Sequence, residues 1–211
     1  MKLIKLNLGS GVYIKKGYIN VDAYLTEKDL KEKKGKYKVT TWEKGAKYVQ
    51  ADICEMPFKD NYADVAEAHQ TIEHLNFDRV IPAFREIHRV LKKGGIFYFD
   101  VPDFNELCSN WLYEETVGRP FDLDRYHFYA EEFYGNQAHG GEFHHVPLTV
   151  NFLNFCFANS GFVKVSYMKY DRNEKLTKDL RKMTMMLTRI PNYMHDDAKF
   201  RCGTIFGKVI K

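Results

Sequence analysis

The sequence predicts one α/β domain built on a doubly wound, mostly parallel, seven-stranded sheet. Three observations lead there. Short apolar runs alternate with helix-like segments, the pattern of a parallel sheet covered on both faces. Successive runs stop at glycine, aspartate or histidine, so turn formers and polar groups collect at one edge. With 211 residues, 45% of them hydrophobic and 15% aromatic, the chain can bury one substantial core but not two, so residues 1–211 are expected to form a single domain.

Leu3 to Leu8 is a short apolar strand that runs into Gly9-Ser10-Gly11. Tyr18 to Val21 ends at Asp22, Tyr48 to Ala51 at Asp52, and Ala63 to Ala68 at His69. Ile96 to Val101, the most apolar strand, closes on Pro102 and Asp103. Ahead of it Val80, Ile81, Phe84, Ile87, Val90 and Leu91 recur at helical spacing. Asp78 is the expected N-cap of that helix, Pro82 falls in the tolerated first turn, and Gly94-Gly95 is the expected stop. Thr149 is expected to cap a helix carrying Val150, Leu153 and Phe157, ended by Gly161. Phe162 to Met168 and Thr204 to Ile210 complete the strands. Two stretches break the rhythm. Thr26 to Lys44 is highly charged and reads as an exposed helix and loop. Gly118 to Pro147 is long, weakly periodic and rich in aromatics and histidines, as expected of a lid or a substrate-binding insertion.

The net charge of +4 is modest, and the basic residues gather at 28–38 and in the last forty positions without forming one stripe, so a nucleic-acid partner is not expected. Cys54, Cys108, Cys156 and Cys202 lie far apart, with no CxxC and no Cys/His ligand spacing. That argues against a disulfide framework or a structural zinc and fits a reducing compartment. There is no signal-peptide pattern and no apolar run near the roughly 18 residues of a membrane span, so a cytoplasmic location without membrane contact is expected. No feature fixes an oligomeric state.

The chemistry is expected at the strand ends. Glycines closely following a strand let a ligand approach the backbone, because no Cβ stands in the way. Asp22 is placed to accept hydrogen bonds from ribose hydroxyls. Asp52 is placed for an adenine amine, with Ile53 beside it as an apolar wall. All three sites fall on the carboxyl edge, where open α/β sheets bind their ligands.

From residue 3 to about residue 168 these features resemble the class I S-adenosylmethionine-dependent methyltransferases, in a type 11-like subgroup. The acidic or polar residue and glycine turn of that family's first motif is similar to Asn7-Leu8-Gly9-Ser10-Gly11. Its ribose acid corresponds to Asp22, and its third-strand segment to Asp52-Ile53-Cys54-Glu55-Met56-Pro57-Phe58, followed by Asp64. Ala68-His69-Gln70-Thr71-Ile72-Glu73-His74-Leu75 looks like the fourth strand with its Glu-His pair, and residues 84–95 like the helix and turn before the fifth. The resemblance implies a Rossmann-like methyltransferase fold with an antiparallel last strand. It also implies S-adenosyl-L-methionine as cofactor, held by Asn7, Gly9, Ser10, Gly11, Asp22, Asp52, Ile53, His69 and Gln70. The chain departs from the pattern in having Asn7 for the commoner acid, Tyr13 where a third glycine would stand, and a segment from Gly11 to Tyr18 too short for a full first helix. The stretch from Tyr134 to His144 resembles an insertion in small bacterial and phage-type methyltransferases linked to saccharide or cell-surface biosynthesis.

Methyl transfer from a sulfonium needs an in-line nucleophile and, for a hydroxyl acceptor, a base. His69 is the first candidate for base or orienter. His144 and His145 on the expected lid come next, with Asp103 placed to orient one of them. His74 reads as a brace beside Glu73. His139, His144 and His145 lie in glycine-rich surroundings without HxxxH spacing, so no metal site is assigned. Phe121, Tyr126, Phe128, Tyr129, Phe133 and Tyr134 read either as a stacking wall for a sugar or base, or as the lid's own small core. The fourth strand is followed by neither an Asn/Asp-Pro-Pro-Tyr run nor a Pro-Cys pair, which leaves a small-molecule or saccharide hydroxyl as the expected acceptor. Two alternatives compete. A nicotinamide-dependent oxidoreductase predicts a fuller GxGxxG with a long helix behind it. A non-catalytic cofactor-binding module predicts binding without turnover.

Overall fold

A computed structural model of the chain describes residues 3–26, 28, 46–118, 120–137, 140–168 and 204–211. The strands are β1 (Lys5–Leu8), β2 (Ile19–Asp22), β3 (Lys47–Gln50), β4 (Ala63–His69), β5 (Leu91–Pro102), β6 (Lys164–Met168) and β7 (Thr204–Ile210). The α-helices among the described residues are α1 (Val80–Val90), α2 (Phe104–Thr116), α3 (Leu123–Tyr134) and α4 (Val150–Ala158). The expected exposed segment at 26–44, His139 and Cys202 lie almost wholly outside the described residues.

The strands form one sheet in the order β3-β2-β1-β4-β5-β7-β6. The five strands from β3 to β5 run parallel, and β7 is antiparallel to both β5 and β6, so the reversed last strand is present as expected. The chain order turns back between β1 and β4, and a crevice opens beyond the carboxyl ends of strands at such a point.

The register sorts side chains onto two unlike faces. Leu8 lies beside Val21 and Ala68, and Ala68 beside Phe99, in one apolar row. Onto this face α1 and α4 bring Phe84 and Phe157, which stack with a 4.4 Å centroid separation; Phe97 and Phe99 lie in contact with Phe157. These rings pack in a core shared with Leu8, Val21, Ala68, Ile87 and Leu153. The other face carries Tyr48, Asn20, Asn7, Glu67, Tyr98, Lys208 and Ser166 side by side across all the strands. Here no helix follows β1. The loop from Gly9 to Gly17 lies against the face and is hydrogen-bonded to its asparagines: Asn7 Nδ2 donates to Tyr13 O and to Asn20 Oδ1, and Lys15 N donates to the same Asn20 oxygen. Buried amides need partners, and a loop supplies them where an apolar helix could not.

Several local expectations are corrected. Asp78 does not cap α1; it sits within a short 3-10 turn, Phe77–Arg79, and the capping position falls to Arg79 without a side-chain bond. The helix ends at Val90, before Gly94-Gly95, because Leu91 is already extended and pairs with Ala63. Both glycines lie inside β5, where Gly94 N donates to Lys211 O and Lys211 N donates to Gly95 O. Leu91 is buried as the first residue of β5, and an apolar residue at that spacing does not by itself distinguish helix from strand.

Thr149 caps α4 as expected, accepting from Phe152 N at 3.2 Å. By contrast, α2 and α3 are helices that the periodicity did not disclose. Asp103 and Asp122 cap them, each accepting from two backbone N–H groups. The reason is weak amphipathicity: α2 fully buries only Leu107 and Glu114, and α3 only Tyr129.

Candidate active site

β1 runs into Gly9, Ser10 and Gly11, and both glycines adopt left-handed backbone, with φ of +59° and +48°. Their reasons differ. A Cβ on Gly9 would overlap the side chain of Thr71, which bonds through Oγ1 to His69 O at 2.9 Å. Gly9 therefore lets the loop after β4 pack against β1. A Cβ on Gly11 would meet nothing within 4 Å, so this residue leaves an open approach to the backbone. The Ser10 hydroxyl between them is buried without a partner among the described residues.

Asp22 ends β2 beside this turn and is only 8% exposed. Its Oδ2 accepts from Gly11 N at 2.8 Å, and its Oδ1 accepts from Tyr24 N at 2.9 Å and Leu25 N at 3.1 Å. One carboxylate thus sets the shape of two loops at the carboxyl edge. Asn7 lies farther back in β1 with its amide hydrogens committed to Tyr13 and Asn20, so it holds the loop.

Asp52 lies two residues past the end of β3. Its Oδ1 accepts from Cys54 N at 2.8 Å, and its Oδ2 pairs with Arg79 at 2.7 Å. Partial burial works against its charge, yet these donors hold the carboxyl below its usual range. Ile53 beside it is buried, part of the core.

His69 ends β4 in a buried polar cluster. Its Nδ1 meets Asp100 Oδ1 on β5, and its Nε2 lies 3.3 Å from Glu67 Oε2. Burial alone would lower its pKa; the two carboxylates more than offset this, and the net shift is upward. Glu67 also accepts from Lys15 Nζ and Tyr18 Oη, each at 2.6 Å, and although burial opposes its charge these donors depress it to about 2. With both ring nitrogens engaged and the charged form favoured, His69 suits orienting better than proton abstraction. Gln70 follows with φ of +47°, a conformation non-glycine residues rarely adopt, its backbone N–H and Nε2 both bonding to Asp100 at 3.0 Å.

Beyond Gln70 the chain reaches Glu73, whose carboxylate oxygens are both buried without a hydrogen-bond partner among the described residues. Burial raises its pKa well above the usual value, and the nearby charges of Asp100 and Glu132 act in the same direction. His145 N donates to Glu73 O at 2.8 Å, joining the expected lid to the end of β4. The His145 ring is exposed and lies near Phe143. His144 is half-buried, its Nδ1 2.9 Å from Glu132 O, and burial lowers its pKa. Asp103 caps α2 and bonds to no histidine among the described residues; Asp100, three residues earlier, orients His69. Sequence reasoning singled out neither Asp100 nor Glu67 and named Glu73 only within the Glu-His pair; for Asp100 the available signal was an acid inside an otherwise apolar strand, Ile96 to Val101.

Residues 9–99, which carry the glycine turn, Asp22, Asp52 and the β4 end, match the family model of the methyltransferase domain. Over that stretch the chain resembles a methyltransferase domain. The solved structures agree in fold. A SAM-dependent methyltransferase of Mesorhizobium loti is 18% identical with a TM-score of 0.57, the match covering 100% of this chain and 91% of that one. One from Archaeoglobus fulgidus is 14% identical with a TM-score of 0.56, covering 99% and 86%. Phosphoethanolamine N-methyltransferase 2 of Haemonchus contortus, solved with S-adenosyl-L-methionine, is 15% identical with a TM-score of 0.51, covering 100% of this chain and 49% of that one. No curated protein matches the sequence.

The glycine turn fits S-adenosylmethionine, the cofactor that the resemblance implies. The open space at Gly11 and the orphaned Ser10 hydroxyl sit at the carboxyl edge, beside the Asp22 carboxylate. The absent first helix also removes the long element that a nicotinamide oxidoreductase would need behind its turn. Among the described residues no helix is long and apolar enough to cross a membrane.

Proposed function

We propose that this chain is an S-adenosylmethionine-dependent methyltransferase acting on a hydroxyl of a small-molecule or saccharide acceptor, with residues 118–147 forming its acceptor-side lid and the cytoplasm its place of work. The observation that supports this is the joint between lid and sheet, the 2.8 Å bond from His145 N to Glu73 O, which brings an imidazole and an aromatic segment to the end of β4. Within that segment Tyr129 and Phe133 pack on Trp111 of α2 as a small core, while Phe121 and Tyr134 remain exposed as flat surfaces for a sugar ring.

In this reading Gly9, Ser10 and Gly11 form the turn around the cofactor, Asp22 accepts from its ribose hydroxyls, and Asp52 with Ile53 borders its adenine. When bound there, the cofactor supplies a methyl group activated by a positive sulfur. His69 keeps its proton and fixes Asp100, which in turn holds Gln70 at the mouth of the site. The exposed ring of His145 takes the proton from the acceptor hydroxyl as general base. His144, with its ring held against Glu132 O, positions the lid.

The test is a methyl-transfer assay against glycans, small hydroxylated molecules and RNA. Transfer to a hydroxyl acceptor is expected, with His145→Ala lowering kcat by roughly 10²–10⁴-fold, the usual contribution of general base catalysis. Binding of S-adenosylmethionine with no turnover on any acceptor would instead favour a non-catalytic module.

A further inference from the structure

We propose that Glu73, His74 and His144 form a binding site for a divalent transition-metal ion of the zinc type, joining the loop after β4 to the segment after α3. A carboxylate oxygen of Glu73 and one ring nitrogen from each histidine all lie within 4.8 Å of one another. The Glu73 carboxylate is fully buried, and neither oxygen has a hydrogen-bond partner among the described residues. A buried acid left in this condition is costly unless something cationic or protic meets it.

The histidines carry a second, independent sign. His144 Nδ1 faces Glu132 O at 2.9 Å, and His74 Nδ1 faces Phe143 O at 3.1 Å. A carbonyl can only accept, so each bond places the ring proton on Nδ1 and the lone pair on Nε2. Metal-ligating histidines are oriented in this manner, with the non-ligating nitrogen donating to a backbone carbonyl or carboxylate. The rings meet edge to face with centroids 4.8 Å apart, which brings the two imidazoles to one point without stacking them face to face.

Two imidazoles and one carboxylate suit zinc, iron(II) or cobalt(II) better than magnesium or calcium, which prefer oxygen donors. Three protein ligands also leave at least one coordination position for a solvent or acceptor oxygen. The sequence did not disclose the site because Glu73 and His74 are 70 residues or more from His144, and the only visible histidine grouping was that on the lid itself.

The experiment uses the full chain, stripped with a chelator and titrated with cobalt(II), then zinc(II). We expect one equivalent of cobalt to bind with visible d–d absorption of a four- or five-coordinate site, zinc to displace it, and either ion to raise the Tm. Glu73→Gln and His74→Ala should each weaken binding by more than the roughly 10–100-fold that outer-shell changes cost. His127→Ala, on the exposed face of α3, should bind as the parent does. Circular dichroism establishes that each variant is folded, and His74→Ala, at a half-buried position, stays informative if the buried Glu73→Gln does not fold. No stoichiometric cobalt or zinc binding by the parent chain, or undiminished binding by the folded variants, overturns the proposal. S-adenosylmethionine affinity measured on the same samples tests the methyltransferase reading separately, since Asp22 and the glycine turn lie outside this cluster.

Discussion

Asp22 offers the most direct quantitative test. Its carboxylate accepts from Gly11 N through one oxygen and from Tyr24 N and Leu25 N through the other. Asp22→Asn keeps Oδ1 as an acceptor but turns an N–H toward the N–H of Gly11, so one charge-assisted bond is lost and a buried donor is left opposed. The lost bond is worth about 1.5–3 kcal/mol, and the orphaned donor costs about 1–3 kcal/mol more, so a loss of fold stability near 2–4 kcal/mol is expected after partial relaxation. Urea unfolding at fixed temperature measures it. For the cofactor, loss of the charged acceptor at the ribose position should weaken S-adenosylmethionine by about 1–3 kcal/mol, which is roughly 5–150-fold in Kd. Isothermal titration calorimetry on the methyl donor and on its demethylated product reads this directly. A folded Asp22→Asn or Asp22→Ala chain with unchanged Kd removes Asp22 from the site and refutes the reasoning.

Three further outcomes are expected. Gly9→Ala puts a Cβ into the Thr71 side chain at a left-handed φ, and the overlap plus backbone strain should destabilise the fold by about 2–5 kcal/mol in urea unfolding; a change within error of zero contradicts the packing described. The pKa of His69 is raised by folding above its ordinary 6.5, so its contribution to stability is full below 6.5 and is lost as pH rises through the folded value. Tm should therefore fall across that range in the parent and not in His69→Gln, and an NMR titration midpoint for His69 at or below 6.5 removes the two-carboxylate account. Arg79→Ala breaks a pair whose side chains are 43% and 38% exposed, so the stability change should stay below about 1 kcal/mol; a loss of several kcal/mol in thermal melts indicates a buried role for Arg79 that the geometry does not give it.

The strands were legible because each is a short apolar run ending in a turn former, and period and punctuation are local properties. The placement of the glycine turn, Asp22 and Asp52 at or just past strand ends was legible for the same reason. α2 and α3 escaped because a helix that buries one or two side chains has almost no apolar stripe to detect. Asp103 shows the same limit: as the first polar residue after an apolar strand it read as a site acid, and its capping of α2 through Asn105 and Glu106 appears only in the fold.

What the sequence settled by itself was the number and order of strands and the turn formers that end them; the family resemblance it carries is matched over residues 9–99. Only the tertiary structure decided what His69 can do, because its two carboxylate neighbours come from Glu67, two residues back on the same strand, and from Asp100 on the next. It likewise brought His144 against Glu73 and His74, and set Thr71 over Gly9. A pKa and a ligand set depend on through-space distance between charges and lone pairs, and that distance is fixed by register and loop docking, which no local pattern in the chain encodes.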